Sequence, residues 1–137
     1  MTEDTGVLVI HCSDPRFQGA FHEFLTRELR LDNYALLAVP GGPQFLTALE
    51  YLPKFSWTGW RWMKFLRKLG NTGRVVLIAH EDCRWYSELP LVGGLLRDRQ
   101  TRDIRAVCAQ LGERAGASRV ESYYARMDGG RISFEPI

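Results

Sequence analysis

Residues 6–16 read GVLVIHCSDPR. The first part, 6–10, is a short and continuous apolar run, which is typical of a strand buried on both faces of a parallel sheet. A polar cluster with a cysteine, an aspartate and an arginine follows at once. A second apolar run, RVVLIA at 74–79, leads directly into HEDC at 80–83. Ligands of open parallel sheets bind beyond the carboxyl ends of the strands. We therefore expect the two polar clusters to meet in one crevice if these strands are neighbours.

The rest of the chain alternates strands and helices, which predicts a parallel sheet with right-handed crossovers. Helices are indicated by apolar residues at helical spacing, and strands by short β-branched runs. Glycine and proline cluster at Pro40–Pro43, which predicts a tight loop. The predicted helices are 17–31, 45–52, 57–69 and 101–115, and the further predicted strands are 34–39, 120–125 and 132–134. The predicted fold class is α/β, a three-layer αβα domain over 1–137 with a mainly parallel four-stranded sheet plus a short antiparallel edge strand.

Composition narrows the classes of protein to consider. The 137 residues carry a formal net charge of +2, with 45% hydrophobic and 25% charged residues, as in globular domains with a real core. The weak positive balance predicts neither a nucleic-acid nor a membrane partner. Residues 1–5 include two acidic residues at a place where a secretory signal has cations, and the apolar run 7–10 is too short for the core of such a signal. A cytoplasmic location is therefore expected. An odd number of cysteines favours reduced thiols over a disulfide framework.

Cys12, His80 and Cys83 form a candidate metal site. Each motif alone is weak evidence, because such pairs arise by chance, but their positions at the ends of two buried strands strengthen the prediction. Two thiolates and an imidazole suit zinc, which prefers sulfur and nitrogen ligands in a tetrahedral shell. Three protein ligands leave a fourth position open, as in catalytic zinc sites, where the pKa of bound water falls to about 7. The alternative is that both cysteines are buried structural thiols.

The paired motif, Cys12-x-Asp14-x-Arg16 with His80-x-x-Cys83, resembles the signature of the β-class carbonic anhydrases. The resemblance implies a β-carbonic-anhydrase-like fold with zinc bound by the two cysteines and the histidine. It also implies that Arg16 pairs with Asp14 and keeps that carboxylate off the metal, so that Asp14 can orient the nucleophile. The implied activity is the reversible hydration of carbon dioxide to bicarbonate by zinc-bound hydroxide, in a homodimer or a higher homo-oligomer.

Two departures from the family pattern bear on the substrate. Arg84 follows the second cysteine where the family usually has glycine, and VPGGPQ at 39–44 stands where it usually has Arg-Asn-Ala-Gly-Asn. Gly41, Gly42, Gln44 and Arg84 are therefore candidate substrate contacts. The resemblance also permits hydrolysis of carbonyl sulfide or carbon disulfide at the same zinc site. The two departures suggest another alternative, a catalytically silent zinc domain used in sensing or assembly. A redox thiol pair is the weaker hypothesis, because the chain contains no Cys-x-x-Cys motif.

Other polar and aromatic residues have plainer interpretations. Cys108 lies on the apolar stripe of a predicted helix and is interpreted as structural. His11 should face away from the metal site, because successive residues of a strand point to opposite faces. Glu81 and Asp82 are expected to be solvated. The segment Trp57–Lys68 mixes aromatic residues with cations, and the balanced net charge favours core packing and contact with a partner subunit over base stacking.

Overall fold

A five-stranded sheet forms the centre of the computed structural model, which describes residues 6–50, 53–70, 72–88 and 95–137. The strands are β1 (Gly6–His11), β2 (Ala35–Ala38), β3 (Thr72–His80), β4 (Arg119–Asp128) and β5 (Arg131–Pro136). Their order across the sheet is β2-β1-β3-β4-β5. The first four strands are parallel, and β5 pairs antiparallel with β4 at the edge. The predicted mainly parallel sheet with an antiparallel edge strand is confirmed.

Helices cover both faces of this sheet, as the three-layer prediction requires. They are α1 (Gln18–Glu23), a π-helical turn (Phe24–Glu28), a 3₁₀ helix (Gly42–Glu50), α2 (Pro53–Gly70), α3 (Arg84–Ser87) and α4 (Leu96–Ala115). The 3₁₀ helix, α2 and α4 pack on one face, and α1 with its π-helical turn packs on the other.

The two cores lie on opposite faces of the same central strands. In β3, Val75 and Leu77 pack against α2 and α4, whereas Val76 and Ile78 pack against α1, and all four are fully buried. A strand with both faces covered needs apolar residues at every position, because successive side chains point to opposite faces. This is the reason that the two central strands read as continuous apolar runs rather than as alternating ones.

The helices differ from the predicted ranges in detail. The predicted helix 17–31 changes to a π-helical turn, in which the Leu29 N–H donates to the Phe24 carbonyl oxygen at 3.0 Å. The helix predicted from residue 57 begins at Pro53, where a missing N–H donor costs nothing in the first turn. α4 begins at Leu96 rather than at residue 101. The helix predicted over 45–52 is a 3₁₀ helix that starts at Gly42, and residues 51–52 lie outside the described part of the chain.

The strand order brings the two polar clusters to one edge of the sheet. β1 and β3 are hydrogen-bonded neighbours, with Ile10 opposite Leu77. The residues that follow β1 and the last residue of β3 therefore lie side by side at the carboxyl edge. In the described part of the chain, no helix combines the length and the apolar character needed to cross a membrane.

Candidate metal centre

Three potential metal ligands converge where β1 and β3 end. Cys12 is the first residue beyond β1, His80 is the last residue of β3, and Cys83 precedes α3 after a tight turn. The ligand atoms of the three side chains all lie within 4.8 Å of one another, and all three residues are buried. Ligand atoms around one tetrahedral zinc lie roughly 3.5–4 Å apart, given bonds of about 2.0–2.3 Å. The group could therefore bind a metal ion with small side-chain adjustments.

The orientation of His80 is fixed by its neighbours. Its Nδ1–H donates to the Glu81 carbonyl oxygen at 2.8 Å, because a carbonyl can only accept. The ring also packs against the Phe17 ring, with centroids 4.2 Å apart. In the neutral ring the lone pair is then on Nε2, and this atom is buried without a hydrogen-bond partner among the described residues. A buried, unpartnered nitrogen lone pair aimed at two thiols is what a metal ligand requires.

The two thiols are close enough to interact. A hydrogen bond from Cys83 lowers the pKa of the Cys12 thiol to about 4, and the Gly41 N–H, 3.3 Å from Cys12 Sγ, acts in the same direction. The pKa of the Cys83 thiol is raised above its ordinary value, chiefly because it donates that hydrogen bond and also because it is buried. One proton shared by two sulfurs can be replaced by a cation that binds both as thiolates.

Asp14 and Arg16 form a tightly held pair beside the ligands. Arg16 Nη2 donates to Asp14 Oδ2 at 2.7 Å, Nε donates to Oδ1 at 3.1 Å, and the Arg16 backbone N–H donates to Oδ1 at 2.9 Å. These hydrogen bonds lower the pKa of the Asp14 carboxyl from its ordinary value. Asp14 Oδ2 lies 4.0 Å from His80 Nε2, so an ionised carboxylate faces the metal ligands without bonding to them.

Arg16 also connects the two motifs. Its Nη1 donates to Asp82 Oδ2 at 2.9 Å, and its Nη2 donates to the Asp82 carbonyl oxygen at 2.8 Å. Asp82 has a φ of 55°, in the left-handed region, and this conformation turns the chain between His80 and Cys83. One guanidinium thus holds both the Asp14 loop and the turn that presents the second and third ligands.

A cavity of about 500 Å³ opens beside the cluster. Its lining includes Cys12, Asp14 and Arg16 of the first motif, and also Pro40, Arg84, Trp85 and Glu88. Two guanidinium groups and two carboxylates thus lie on the cavity, whereas the proline and the indole are apolar. The cavity can therefore admit a small apolar molecule beside charged groups of both signs.

The indole of Trp85 is seated against the glycine loop. Its Nε1–H donates to Gln44 Oε1 at 3.0 Å. A Cβ on Gly41, whose φ is +79°, would lie 2.3 Å from Trp85 Cδ1. Only glycine allows this approach, because it combines the left-handed backbone with the absence of a side chain.

We expect Gly41→Ala to destabilise the fold by roughly 1–3 kcal/mol more than Gly129→Ala. Both glycines have a positive φ, but a Cβ on Gly129 would meet nothing within 4 Å, so this variant measures the backbone strain alone. Urea unfolding followed by tryptophan fluorescence would compare the two free energies of unfolding. Equal losses in the two variants would mean that the contact between Gly41 and Trp85 is not tight.

The similarity of this chain to known proteins lies in its structure rather than in its sequence. No protein-family model matches the sequence. No curated protein matches it significantly. Solved structures do match: a carbonic anhydrase from Glaciozyma antarctica has a TM-score of 0.56 and 16% identity over 93% of this chain and 80% of its own. A carbonic anhydrase from Streptococcus mutans has a TM-score of 0.56 and 14% identity over 98% of this chain and 85% of its own. The chain has a β-carbonic anhydrase fold.

Within this β-carbonic anhydrase fold, the predicted site residues separate into two groups. The first group lies at the cluster or on the cavity beside it and consists of Cys12, Asp14, Arg16, His80, Cys83, Gly41 and Arg84. Gln44 and Gly42 do not line the cavity. Gln44 is buried and holds the Trp85 indole, whereas a Cβ on Gly42 would lie 3.0 Å from the backbone nitrogen of Cys12. These two residues therefore support the wall and the first ligand from behind.

The two acidic residues predicted to be solvated, Asp82 and Glu81, are exposed and half-buried, respectively, and both also accept hydrogen bonds. The Asp82 carboxylate accepts hydrogen bonds from Arg16 and from Arg84, the latter at 3.3 Å. The Glu81 carboxylate accepts one from the Met127 N–H on β4 at 2.8 Å. The turn between the ligands brings both carboxylates to donors that are distant in sequence, and a pattern of consecutive residues contains no information about such donors.

Residues that sequence reasoning passed over support the site. The Gln18 amide donates to the Cys12 carbonyl at 2.9 Å and to the Asp14 carbonyl at 2.7 Å, and so fixes the first motif. The Gln100 amide, on α4, donates to the His80 carbonyl at 2.8 Å. The sequence did contain a signal for Gln100, because it is a polar residue inside the apolar stripe of α4.

His11 and Cys108 lie outside the ligand group. His11 packs on Phe21, with ring centroids 4.4 Å apart, and Cys108 packs on the core under α4.

Proposed function

We propose that this chain is a zinc enzyme that interconverts carbon dioxide and bicarbonate. The observation that supports the proposal most strongly is the combination of the buried group Cys12, His80 and Cys83 with an Arg16-held carboxylate at an open cavity. The β-carbonic anhydrase fold agrees with it, since the similar structures are carbonic anhydrases. A purely structural metal site would need neither the held carboxylate nor the cavity.

The metal would be held by the Sγ atoms of Cys12 and Cys83 and by Nε2 of His80. Zinc with three protein ligands lowers the pKa of a coordinated water to about 7 and so supplies a hydroxide nucleophile at neutral pH. Around it, the Gly41 N–H hydrogen-bonded to Cys12 Sγ and the carbonyl that accepts from His80 Nδ1 would keep the ligands in place.

Asp14 would act as the orienting acceptor. Its carboxylate is ionised, faces the ligand cluster and is prevented from rotating by the hydrogen bonds from Arg16. A fixed acceptor at this position can take a hydrogen bond from the nucleophile and aim its lone pair at the carbon of carbon dioxide. Arg16 would act through Asp14 as a positioning residue, and Asp82 would hold Arg16 from the opposite side.

The walls of the cavity suit both sides of this reaction. Pro40 and the Trp85 indole offer an apolar surface to carbon dioxide, which carries no charge. Arg84, which contacts Asp82 through Nε alone and is otherwise exposed, would be the guanidinium that meets bicarbonate, since Arg16 is already engaged by Asp14 and Asp82. The arrangement favours a small, planar substrate that becomes an anion.

One purified sample should contain about one zinc per chain and hydrate carbon dioxide at a rate that rises through a single ionisation near pH 7. Metal analysis and stopped-flow indicator assays across pH would measure both quantities. Removal of the metal with a chelator should abolish the rate, and added zinc should restore it. Stoichiometric zinc without hydration at any pH would overturn the proposed reaction, and carbonyl sulfide and carbon disulfide would then be assayed at the same site.

A further inference from the structure

Helix α4 contacts the metal centre through two polar side chains. Gln100 and Asp103 lie three positions apart on this helix, so they share one of its faces. Ile104 and Val107, on the same side of α4, pack in one core with Leu77 of β3. The helix is therefore fixed against the sheet, and the two polar side chains start from a rigid element.

Asp103 reaches the second cysteine through Tyr86. The Tyr86 hydroxyl donates to Asp103 Oδ2 at 2.7 Å. The Tyr86 side chain is buried in one cluster with Cys12 and Cys83. The backbone N–H groups of Tyr86 and Trp85 also form hydrogen bonds with the Cys83 sulfur. The bond to Asp103 thus fixes a residue that surrounds Cys83 with both its ring and its N–H.

Gln100 holds the peptide group that follows the histidine ligand. Its Nε2 donates to the His80 carbonyl oxygen at 2.8 Å, and the Gln100 side chain is buried. The other end of this peptide group is also bonded, because the Glu81 N–H donates to the Ala125 carbonyl oxygen at 2.9 Å. The Glu81 carbonyl oxygen accepts from His80 Nδ1, so a fixed peptide group sets the orientation of the imidazole.

The three ligands come from separate segments, so their relative positions depend on contacts between the layers of the fold. Cys12 is held from the α1 side, where the Gln18 amide donates to its carbonyl oxygen at 2.9 Å. His80 and Cys83 are held from the opposite layer, by α4. Groups that are fixed before binding lose less freedom when a ligand arrives, and this preorganisation raises affinity.

We propose that Asp103 and Gln100 are positioning residues of the metal centre, Asp103 through Tyr86 and Gln100 through the peptide group after His80. They touch neither the metal nor the substrate, and they raise zinc affinity by holding two of the three ligands in place. Contacts that orient metal ligands in this way are worth about 10–100-fold in affinity. The inference rests on the metal site of the proposed function and is independent of the reaction that occurs there.

The zinc affinity of Tyr86→Phe tests the contact with Asp103. Phenylalanine keeps the ring against the cysteines and removes only the hydroxyl. The zinc dissociation constant, measured by competition with a chromophoric chelator, should rise about 10-fold. Tyr123→Phe is the matched control, because the Tyr123 hydroxyl donates to Glu121 Oε1 at 2.9 Å, outside the ligand group. This control should bind zinc as the wild type does.

Substitutions on α4 test whether the helix acts through these contacts. Asp103→Ala should weaken zinc binding as much as Tyr86→Phe does, and the double variant should be no weaker than either, because the two residues act as one unit. Asp103→Asn keeps an acceptor oxygen and should stay close to the wild type. Gln100→Met removes the amide donor at similar size and should cost a further factor of about 10 when combined with Tyr86→Phe. Its control is Gln110→Met, since Gln110 contacts Arg114 on the same helix.

Urea unfolding of the metal-free proteins separates positioning from stability. A purely structural role would destabilise Tyr86→Phe and Tyr123→Phe without moving zinc affinity in either. Unchanged zinc affinity in Tyr86→Phe and Gln100→Met, or an equal loss in the two controls, would overturn the inference. A wild type that binds no zinc would overturn the proposed function as well. Weaker zinc binding in both variants of a chain that hydrates no carbon dioxide would support the inference while the proposed reaction fails.

Discussion

Cys83→Ser should lower the bound zinc from about one ion per chain to less than about one-tenth, and carbon dioxide hydration should fall with it. A serine hydroxyl is a poor zinc ligand, because zinc in such sites prefers thiolate sulfur and imidazole nitrogen. Loss of a group that merely supports a ligand costs roughly 10–100-fold in metal affinity, and loss of the ligand itself should cost more. Metal analysis after dialysis, with hydration measured on the same sample, would give both quantities.

The control for this substitution is Cys108→Ser. Cys108 is a half-buried thiol on α4 outside the ligand group, so its replacement should leave zinc content and hydration close to those of the wild type. Circular dichroism of both variants would check that each is folded. A folded Cys83→Ser variant that kept full zinc and full activity would contradict the proposed ligand set.

The position of the metal cluster could be predicted because it depends on topology. Cys12 and His80 come directly after continuous apolar runs, and such runs predict strands buried between two helical layers. Parallel neighbouring strands end at the same edge, so the ligands had to meet once β1 and β3 were adjacent. The sequence alone did not determine this adjacency, but the resemblance in the two motifs favoured it.

The contacts around the cluster could not be predicted, because they join residues far apart in sequence. Arg16 and Asp82 are 66 positions apart, and their hydrogen bond depends on a left-handed turn that no short pattern around Asp82 indicates. The same is true of Gln44, whose place in the loop suggested contact with substrate. Its Oε1 accepts a hydrogen bond from the Trp85 indole, and the position of the side chain is set by packing that the sequence pattern does not contain.

The predicted helix 17–31 differs from the observed structure because of a tertiary contact. The apolar spacing from Phe17 onward fits a helix, but Phe24 stacks on Phe134 of β5 with ring centroids 4.0 Å apart. A π-helical turn widens the helix by one residue per turn and keeps its apolar residues on the sheet. Tertiary packing thus replaced the regular geometry that the spacing predicted.

Arg16→Ala should reduce hydration more than Asp14→Ala does, although Asp14 is the residue nearer the reaction. Asp14→Ala removes the orienting acceptor, and we expect kcat/KM to fall by about 10²–10⁴-fold. Arg16→Ala removes the hydrogen bonds that hold both carboxylate oxygens. Asp14 Oδ2 is already 4.0 Å from His80 Nε2, so a released carboxylate can rotate into the fourth ligand position and exclude water. This variant should lose both the acceptor and the open position.

The double variant Asp14→Ala with Arg16→Ala distinguishes two causes of lost activity, which are blocking of the metal by Asp14 and simple loss of Arg16. If the released carboxylate blocks the site, adding Asp14→Ala to Arg16→Ala should raise activity to the level of Asp14→Ala alone. The same Asp14→Ala substitution lowers activity in the wild type, so its effect should change sign. Cobalt substituted for zinc should give a visible spectrum that responds to pH in Asp14→Ala and in the double variant, but not in Arg16→Ala.

The control for loosening of Arg16 is Asp82→Asn, which leaves the hydrogen bonds between Asp14 and Arg16 in place. This variant should retain both the pH response and most of the activity. A double variant less active than either single one would mean that Arg16 acts on the substrate directly, as its place on the rim of the cavity also allows.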